Sequence, residues 1–142
     1  MRAARPTASK PDLKGGPNGA PRIRKFNTKD TYYEQKLDND PCRVVVAKGT
    51  MVFVHGRIGQ GLETSKSVGV GDVAAQTEQA MKNIKILLAE AGSSLQHICK
   101  IIIYIIDRRY REAVHRGVGR HLKGVFPVST GIVAAALARP EC

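Results

Sequence analysis

The sequence has 142 residues, of which 42% are hydrophobic, enough for one domain with a modest core. Its net charge of +11 is uneven, because residues 1–29 hold eight basic residues and one acidic residue. It has no apolar stretch of the length that crosses a membrane and no apolar core of a secretory signal, so we predict neither a membrane protein nor a secreted one.

Residues 1–31 form a basic N-terminal segment with four prolines and few large apolar side chains. Such a segment buries too little surface to compensate for its chain entropy, so we predict that it is disordered. The Arg-rich, acid-poor composition also fits an organellar transit peptide, although the prolines disfavour the amphipathic helix of such peptides. We therefore favour a basic extension on a cytoplasmic protein, with an organellar matrix as the alternative.

The folded part, residues 32–142, begins with a predicted β-hairpin. Residues 42–47 (CRVVVA) and 51–56 (MVFVHG) are rich in β-branched side chains, and residues 48–50 are the predicted turn. A polar, glycine-rich loop follows over 57–71. Its end matches G-x-G-x-x-A of a dinucleotide fingerprint, but no strongly apolar strand precedes it. Asp72 would also set a negative charge against a pyrophosphate, so we predict a loop and a helix cap.

A long amphipathic helix is predicted after Asp72, whose carboxylate suits an N-cap. Gly92 follows the last apolar position and suits the left-handed residue that ends a helix. Glu78 and Lys82 are predicted to pair on the outer face. The predicted buried stripe consists of Val73, Thr77, Ala80, Ile84, Leu87, Leu88 and Ala91.

The next segment, residues 98–106 (ICKIIIYII), is the most hydrophobic strand candidate. Because it is apolar on both faces, we predict helices on one side and another layer or subunit on the other. A second helix is predicted over 108–123, capped by Asp107, with His115 and His121 at its surface or at a subunit contact. A last strand is predicted over 128–137. The order ββαβαβ predicts an α+β sandwich with both helices on one sheet face.

Metal and redox chemistry have little support in the sequence. Cys42, Cys99 and Cys142 are far apart without metal-ligand spacing, which favours a reduced protein, and Cys99 is predicted to be a small buried residue. The four histidines have no zinc spacing, so we predict no metal and no cofactor.

Several motifs occur in an order that resembles the Rid family (also called YjgF or RidA-like, the reactive intermediate deaminases). The motifs are Val52-Phe53 with Gly56, Gln76, Asn83-Ile84, the helix end LLAEAGSSL, the strand from Lys100 to Asp107, and Phe126-Pro127. The resemblance implies a chorismate-mutase-like sandwich with a mixed sheet, assembled as a homotrimer with ligand clefts between subunits. It also implies hydrolysis of enamines or imines to ketones and ammonia. The family's last strand should follow residue 142, so we expect the domain to lack it.

The sequence departs from the family at positions that bear on activity. Ser129 stands where the deaminating branch has an arginine that binds a substrate carboxylate in a bidentate fork. His55-Gly56-Arg57 replaces Ser-Gly-Gln, and Cys42 replaces a tyrosine. The resemblance therefore implies substrate-binding roles for His55, Gly56, Arg57, Ser129 and Thr130, with the catalytic residues unknown.

The predicted function is binding of a small metabolite by a Rid-like homotrimer whose deaminase activity is impaired. His55 could act as an acid or base, although an ordinary strand-end histidine is favoured. One alternative is an active deaminase that uses other cleft residues. The other is an RNA-binding protein or endoribonuclease-type translation inhibitor, because some relatives are described so. The second helix carries four cations that could hold phosphates, although a solvated charged face is favoured. They are Arg109, Arg116, Arg120 and Lys123.

Overall fold

The computed structural model describes residues 23–26 and 40–141, and the remainder of the basic segment lies outside these ranges. Within the described residues, two α-helices accompany two small sheets, which confirms the α+β prediction. The elements in chain order are β1 (Ile23–Phe26), β2 (Val44–Ala47), α1 (Val73–Glu90), β3 (Lys100–Ile105), α2 (Arg111–Leu122) and β4 (Val128–Val133). Short 3-10 helices at Leu95–His97 and Arg108–Tyr110 precede β3 and α2.

Helix α1 begins and ends where the sequence predicts. The Asp72 carboxylate accepts hydrogen bonds from the backbone N–H groups of Ala74 and Ala75, each at 3.0 Å. Gly92 has a φ of +74°, the left-handed conformation expected after a helix. The buried stripe differs in part from the prediction, because α1 contacts both α2 and the loop that precedes it. Its buried residues are Thr77, Met81, Asn83 and Leu88.

Strands β3 and β4 pair in parallel, from Lys100 beside Val128 to Ile105 beside Val133. Residues of β3 alternate between half-buried and exposed. Ile101 packs against the buried core of Met81, Leu122 and Val125, on the helix side. On the other side, Ile102 and Tyr104 remain 46% and 52% exposed. The described residues therefore leave the outer face of this sheet only partly covered.

The predicted hairpin is wrong. Strand β2 pairs antiparallel with β1, from Ile23 beside Ala47 to Phe26 beside Val44, and residues 51–58 form no strand. A strand needs a neighbour for its backbone groups, and Ile23–Phe26 occupies that place beside β2. The prediction of disorder therefore does not hold for these four residues, although it was made for all of residues 1–31.

Helices α1 and α2 approach closely at Gly117. A Cβ atom built on Gly117 would lie 2.7 Å from Thr77 Cγ2, a distance that real Cβ atoms do not adopt. Beside this contact, Glu78 accepts a hydrogen bond from Arg120 and lies 2.7 Å from His121 Nε2. The hydrogen bond from Arg120, followed by that from His121, lowers the pKa of Glu78. The predicted Glu78–Lys82 pair is therefore wrong, because α2 supplies partners that the periodicity of α1 cannot reveal.

Cys42 connects the start of β2 with the turn that precedes β4. Its backbone N–H donates to Pro127 O at 3.1 Å, and its thiol donates to Phe126 O at 2.8 Å. Phe126 itself has a φ of +53°, which is uncommon for a residue other than glycine. Cys42 is 6% exposed, whereas Cys99 is only half-buried, so the more buried thiol is Cys42 and not the predicted Cys99.

Candidate functional site

His55, Gly56 and Arg57 lie together in the extended segment after β2. Arg57 Nε donates to the backbone oxygens of His55 and Gly56, each at 3.0 Å. Arg57 Nη2 lies 2.5 Å from His55 Nδ1, so the guanidinium folds back over the imidazole. If Arg57 donates there, Nδ1 is the acceptor and the neutral ring carries its proton on Nε2. The pair thus presents a positive charge and an imidazole at one exposed point.

Ser129 and Thr130 are consecutive residues of β4, so their side chains leave opposite faces of the sheet. Ser129 is paired beside Ile101 and lines a small cavity with α2. Thr130 is paired beside Ile102, on the exposed outer face. The two residues therefore do not line one side of a common site. Within the described part of the chain, no hydrogen bond joins either residue to the His55–Arg57 pair.

Two adjacent cavities lie between α2 and the β3–β4 pair, and His115 lines both of them. The larger has a volume of about 70 Å³ and is bounded by Arg111, His115, Gly131 and several aliphatic side chains. The smaller, of about 20 Å³, lies against Asp40 and Ser129. Residues 129 and 131 are small, which leaves space between the helix and the strand.

His115 is half-buried, which contradicts a position at the helix surface, whereas the alternative of a subunit contact stays a prediction. Burial, together with the nearby charge of Arg111, lowers the pKa of His115, so the imidazole is neutral near pH 7. A signal was present in the sequence, because His115 follows Val114 and precedes Val118 by three residues. It therefore lies beside two apolar positions of α2.

The loop after Arg57 is held against α1 by a buried amide. Asn83 is 2% exposed, and its Nδ2 donates to Gln60 O at 2.6 Å and to Ile58 O at 3.5 Å. Its Oδ1 accepts from Gln79 Nε2 at 2.8 Å, which satisfies the rest of the amide. This role of Asn83 was not predicted, although a polar residue so close to the buried stripe of α1 was a signal.

Glu141 holds the same loop from the other side. Its carboxylate accepts from Ser67 Oγ at 2.7 Å and pairs with Arg139 at 2.8 Å, and its backbone oxygen accepts from Gln76 Nε2. The hydrogen bond from Ser67 is the main reason why the pKa of Glu141 is lowered. The loop that follows the His55–Arg57 pair is thus fixed at both ends by side-chain hydrogen bonds.

Three of the four cations proposed for phosphate binding already have carboxylate partners. Arg109 pairs with Asp107 at 2.5 Å, Arg116 with Glu112 at 2.6 Å, and Arg120 with Glu78. Such pairs reduce the positive potential that α2 offers to a nucleic acid.

Over residues 23–26 and 40–141, no three His, Cys, Asp or Glu side chains are grouped so that they could hold a metal ion. In that same part of the chain, no helix has the length and apolarity needed to span a membrane.

Comparison with known proteins gives consistent results. Residues 33–142 match the family model described as Endoribonuclease L-PSP. Protein DfrA of Myxococcus xanthus is 33% identical over 96 residues, which are 68% of this chain and 72% of DfrA. A RutC family protein of Pyrococcus abyssi is 37% identical over 67 residues, which are 47% of this chain and 52% of that protein. The crystal structure of YyfB, a Rid family protein from Yersinia pestis, has a TM-score of 0.71 and 23% identity, covering 84% of this chain and 91% of YyfB.

Proposed function

The chain belongs to the endoribonuclease L-PSP family, and on that premise we propose that it is a Rid-type protein that binds a small metabolite in a cleft completed by other copies of itself. Family membership supports a Rid-type function and self-association. The finer proposals, which are a homotrimer, a metabolite ligand and impaired deamination, rest on particular residues of this chain.

The outer face of β3 and β4 is the observation that carries this proposal. Ile102, Tyr104 and Ile132 are 46%, 52% and 40% exposed, and Phe53 in the segment after β2 is 84% exposed. Large apolar surfaces of this kind are uncommon on monomers and mark binding surfaces. A closed cyclic trimer would cover this face in every copy without leaving a reactive surface.

The proposed cleft combines Thr130 on that face with the His55–Arg57 pair, through contacts between copies. Gly56 allows a ligand to approach the backbone, since its position has open space around it. Ser129 faces α2 in a single chain, so its proposed contact with a ligand requires that the ligand reach past the edge of β4. The cytoplasmic location remains a prediction.

Impaired hydrolysis follows from the absence of an arginine at position 129. Removal of one partner of a desolvated charge pair costs about 2–5 kcal/mol, so the wild-type chain should hydrolyse 2-iminopropanoate slowly. An amino-acid oxidase generates this imine from alanine, and pyruvate formation reports its hydrolysis. We expect Ser129→Arg to increase the rate, while Ser129→Met, which adds a long side chain without a charge at the same position, serves as the control.

In this assay the turnover of the wild-type chain is compared with that of an arginine-bearing relative. Turnover by the wild-type chain that equals that of an arginine-bearing relative would refute the proposal of impairment. Because Asp40 lies close to position 129, thermal melts must first establish that Ser129→Arg remains folded. A monomer at micromolar concentration, measured by light scattering, would refute the proposal of a cleft between copies.

RNA binding is the second candidate, because the matching family model is described as an endoribonuclease. The ion pairs of Arg109, Arg116 and Arg120 weigh against it. If RNA binds, affinity for a single-stranded oligonucleotide should fall steeply with salt and with deletion of residues 1–22, which precede β1, since both reduce phosphate contacts. Salt-insensitive binding by the truncated chain would contradict electrostatic recognition of RNA.

A further inference from the structure

We propose that Cys99 and Lys25 form an acyl-transfer site, in which the Cys99 thiol accepts an acyl group from a small thioester and passes it to the Lys25 amine. Both residues lie in one chain, so this modification site does not depend on the cleft proposed between copies. With Cys42, they form a cluster of three nucleophilic side chains around the start of β4.

The Lys25 amine and the Cys99 thiol are held at the carbonyl groups of two consecutive residues. Lys25 Nζ donates to Ile98 O at 3.3 Å, so the side chain reaches from β1 to the segment before β3. Cys99 Sγ donates to His97 O at 3.5 Å. The fold thereby brings an amine close to a thiol from a distant part of the sequence.

The surroundings of Lys25 favour its neutral, nucleophilic form. The side chain is half-buried, and burial lowers the pKa of Lys25 more than the nearby thiols of Cys42 and Cys99 raise it. Among residues 23–26 and 40–141, no carboxylate pairs with Lys25 to stabilise the ammonium form. A desolvated lysine attacks carbonyl carbon more readily than an exposed one, because a larger share of it is unprotonated.

Of the two thiols, Cys99 is the one that an acyl donor can reach. Cys42 is 6% exposed, and its thiol donates to Phe126 O at 2.8 Å. Cys99 is only half-buried, and its hydrogen bond to His97 O is longer, at 3.5 Å. The Cys99 thiol can therefore turn toward a thioester without leaving a buried partner behind.

The strand between the two cysteines disfavours a disulfide. The Cys42 N–H donates to Pro127 O, and Cys99 O accepts from the Val128 N–H, which belongs to the same peptide group and points the opposite way. The cysteines thus flank this strand at two strand spacings, about 9–10 Å. A disulfide needs Cα atoms within about 7 Å, so the cluster suits transfer to the amine better than oxidation.

The proposed transfer has two balanced steps. In the first, the Cys99 thiolate attacks the thioester carbonyl carbon, the donor's C–S bond breaks, and the donor leaves as a thiol after taking up a proton. In the second, the neutral Lys25 amine attacks the same carbon, a C–N bond forms, and the C–S bond to Cys99 breaks. The proton lost by nitrogen returns to the Cys99 sulfur. The sum converts a thioester and an amine into an amide and a free thiol.

The test is incubation of the full chain with S-acetyl-N-acetylcysteamine, a small neutral thioester, followed by peptide mass spectrometry. Lys25 should be acetylated roughly tenfold more than Lys66, which is exposed and lies outside the cluster. Cys99→Ala should reduce acetylation of Lys25 by about tenfold, while Cys42→Ala, which removes the buried thiol, should leave it unchanged. Melting curves establish that both variants are folded.

Three results of this experiment would overturn the proposal. One is equal acetylation of Lys25 and Lys66 in the wild-type chain. Another is an unchanged yield at Lys25 in Cys99→Ala. The third is a loss confined to Cys42→Ala, because the acyl group would then travel through the other thiol.

Lys25→Arg gives an independent test, because a guanidinium can still donate to Ile98 O but does not take the acyl group. In this variant the acetyl group should remain on Cys99 as a thioester, which neutral hydroxylamine removes. Absence of that thioester would overturn the proposal. In urea the wild-type preference for Lys25 over Lys66 should disappear, and a preference that survives would mean that the local sequence, and not the cluster, directs acetylation.

Discussion

Side chains are paired differently in two regions of the molecule. One region is the surface between α1 and α2, and the other is the outer surface of β3 and β4. Between the helices, Glu78 has two partners on α2, and Gly117 allows α2 to lie directly on Thr77. On the outer sheet face, Ile102 and Tyr104 are about half exposed. The helix pair is therefore packed within one chain, whereas the sheet face is the proposed contact with another copy. Substitutions in the two regions should separate stability from assembly.

The largest expected effect is on assembly. Ile102→Glu would bury an unpaired carboxylate in the proposed interface, and such charges cost about 3–5 kcal/mol. We expect this variant to dissociate into folded monomers, which light scattering and circular dichroism would establish together. The matched control is Ile86→Glu, because Ile86 on α1 is 48% exposed and Ile102 is 46% exposed. If both variants keep the wild-type assembly, the outer sheet face is not the interface.

A smaller effect, on the free energy of unfolding, is expected at the contact between α1 and α2. Gly117→Ala places a methyl group against Thr77 Cγ2, and overpacking of this kind costs about 1–3 kcal/mol. Thr77→Ser removes the clashing methyl. In that background the same Gly117→Ala change should lose its cost, because alanine is favoured over glycine in a helix by about 1 kcal/mol. Urea denaturation of the four chains gives both values, and equal costs in the two backgrounds would show that the contact is not responsible.

The smallest effect concerns the charge on Glu78. Its pKa is lowered in the folded chain, so its stabilisation is present above the unfolded carboxyl value and is lost as pH falls through the folded value. Glu78→Gln should therefore reduce the free energy of unfolding at pH 7, by about 0.2–1 kcal/mol since the pair is partly exposed.

The measurement for Glu78 is urea denaturation from pH 7 to pH 3, where the difference between wild type and Glu78→Gln should disappear. Glu112→Gln removes the exposed Glu112–Arg116 pair and is the control, with a smaller change expected. A difference that is constant across this pH range would mean that the charge of Glu78 is not the cause.

Local signals in the sequence predicted the fold well. Asp72 and Gly92 mark the ends of α1 because capping depends on residues within a few positions. The α+β class follows from periodicities that each segment carries in itself. The pairing of β1 with β2 escaped prediction, because nothing within residues 23–26 indicates which strand they will join.

The candidate site was less predictable, because it too depends on which segments become neighbours in the fold. Whether Ser129 and Thr130 can share a site depends on their register beside β3, which only the assembled sheet defines. His115 lies at the edge of a helical stripe, where the neighbouring strand decides burial. Gly131, beside it, offered no signal until the strand was placed opposite the helix.

The hydrogen bonds of Cys42 also constrain the order in which the chain can fold. Its thiol reaches Phe126, 84 residues further on, whereas β3, α2 and β4 follow one another within residues 100–133. Closing the longer loop costs more chain entropy, and contacts between distant residues slow folding. The segment from β3 to β4 can therefore form first, and the turn at Phe126 is then already in place when the N-terminal strands arrive. During synthesis the contact between Cys42 and Phe126 must wait for the last third of the chain.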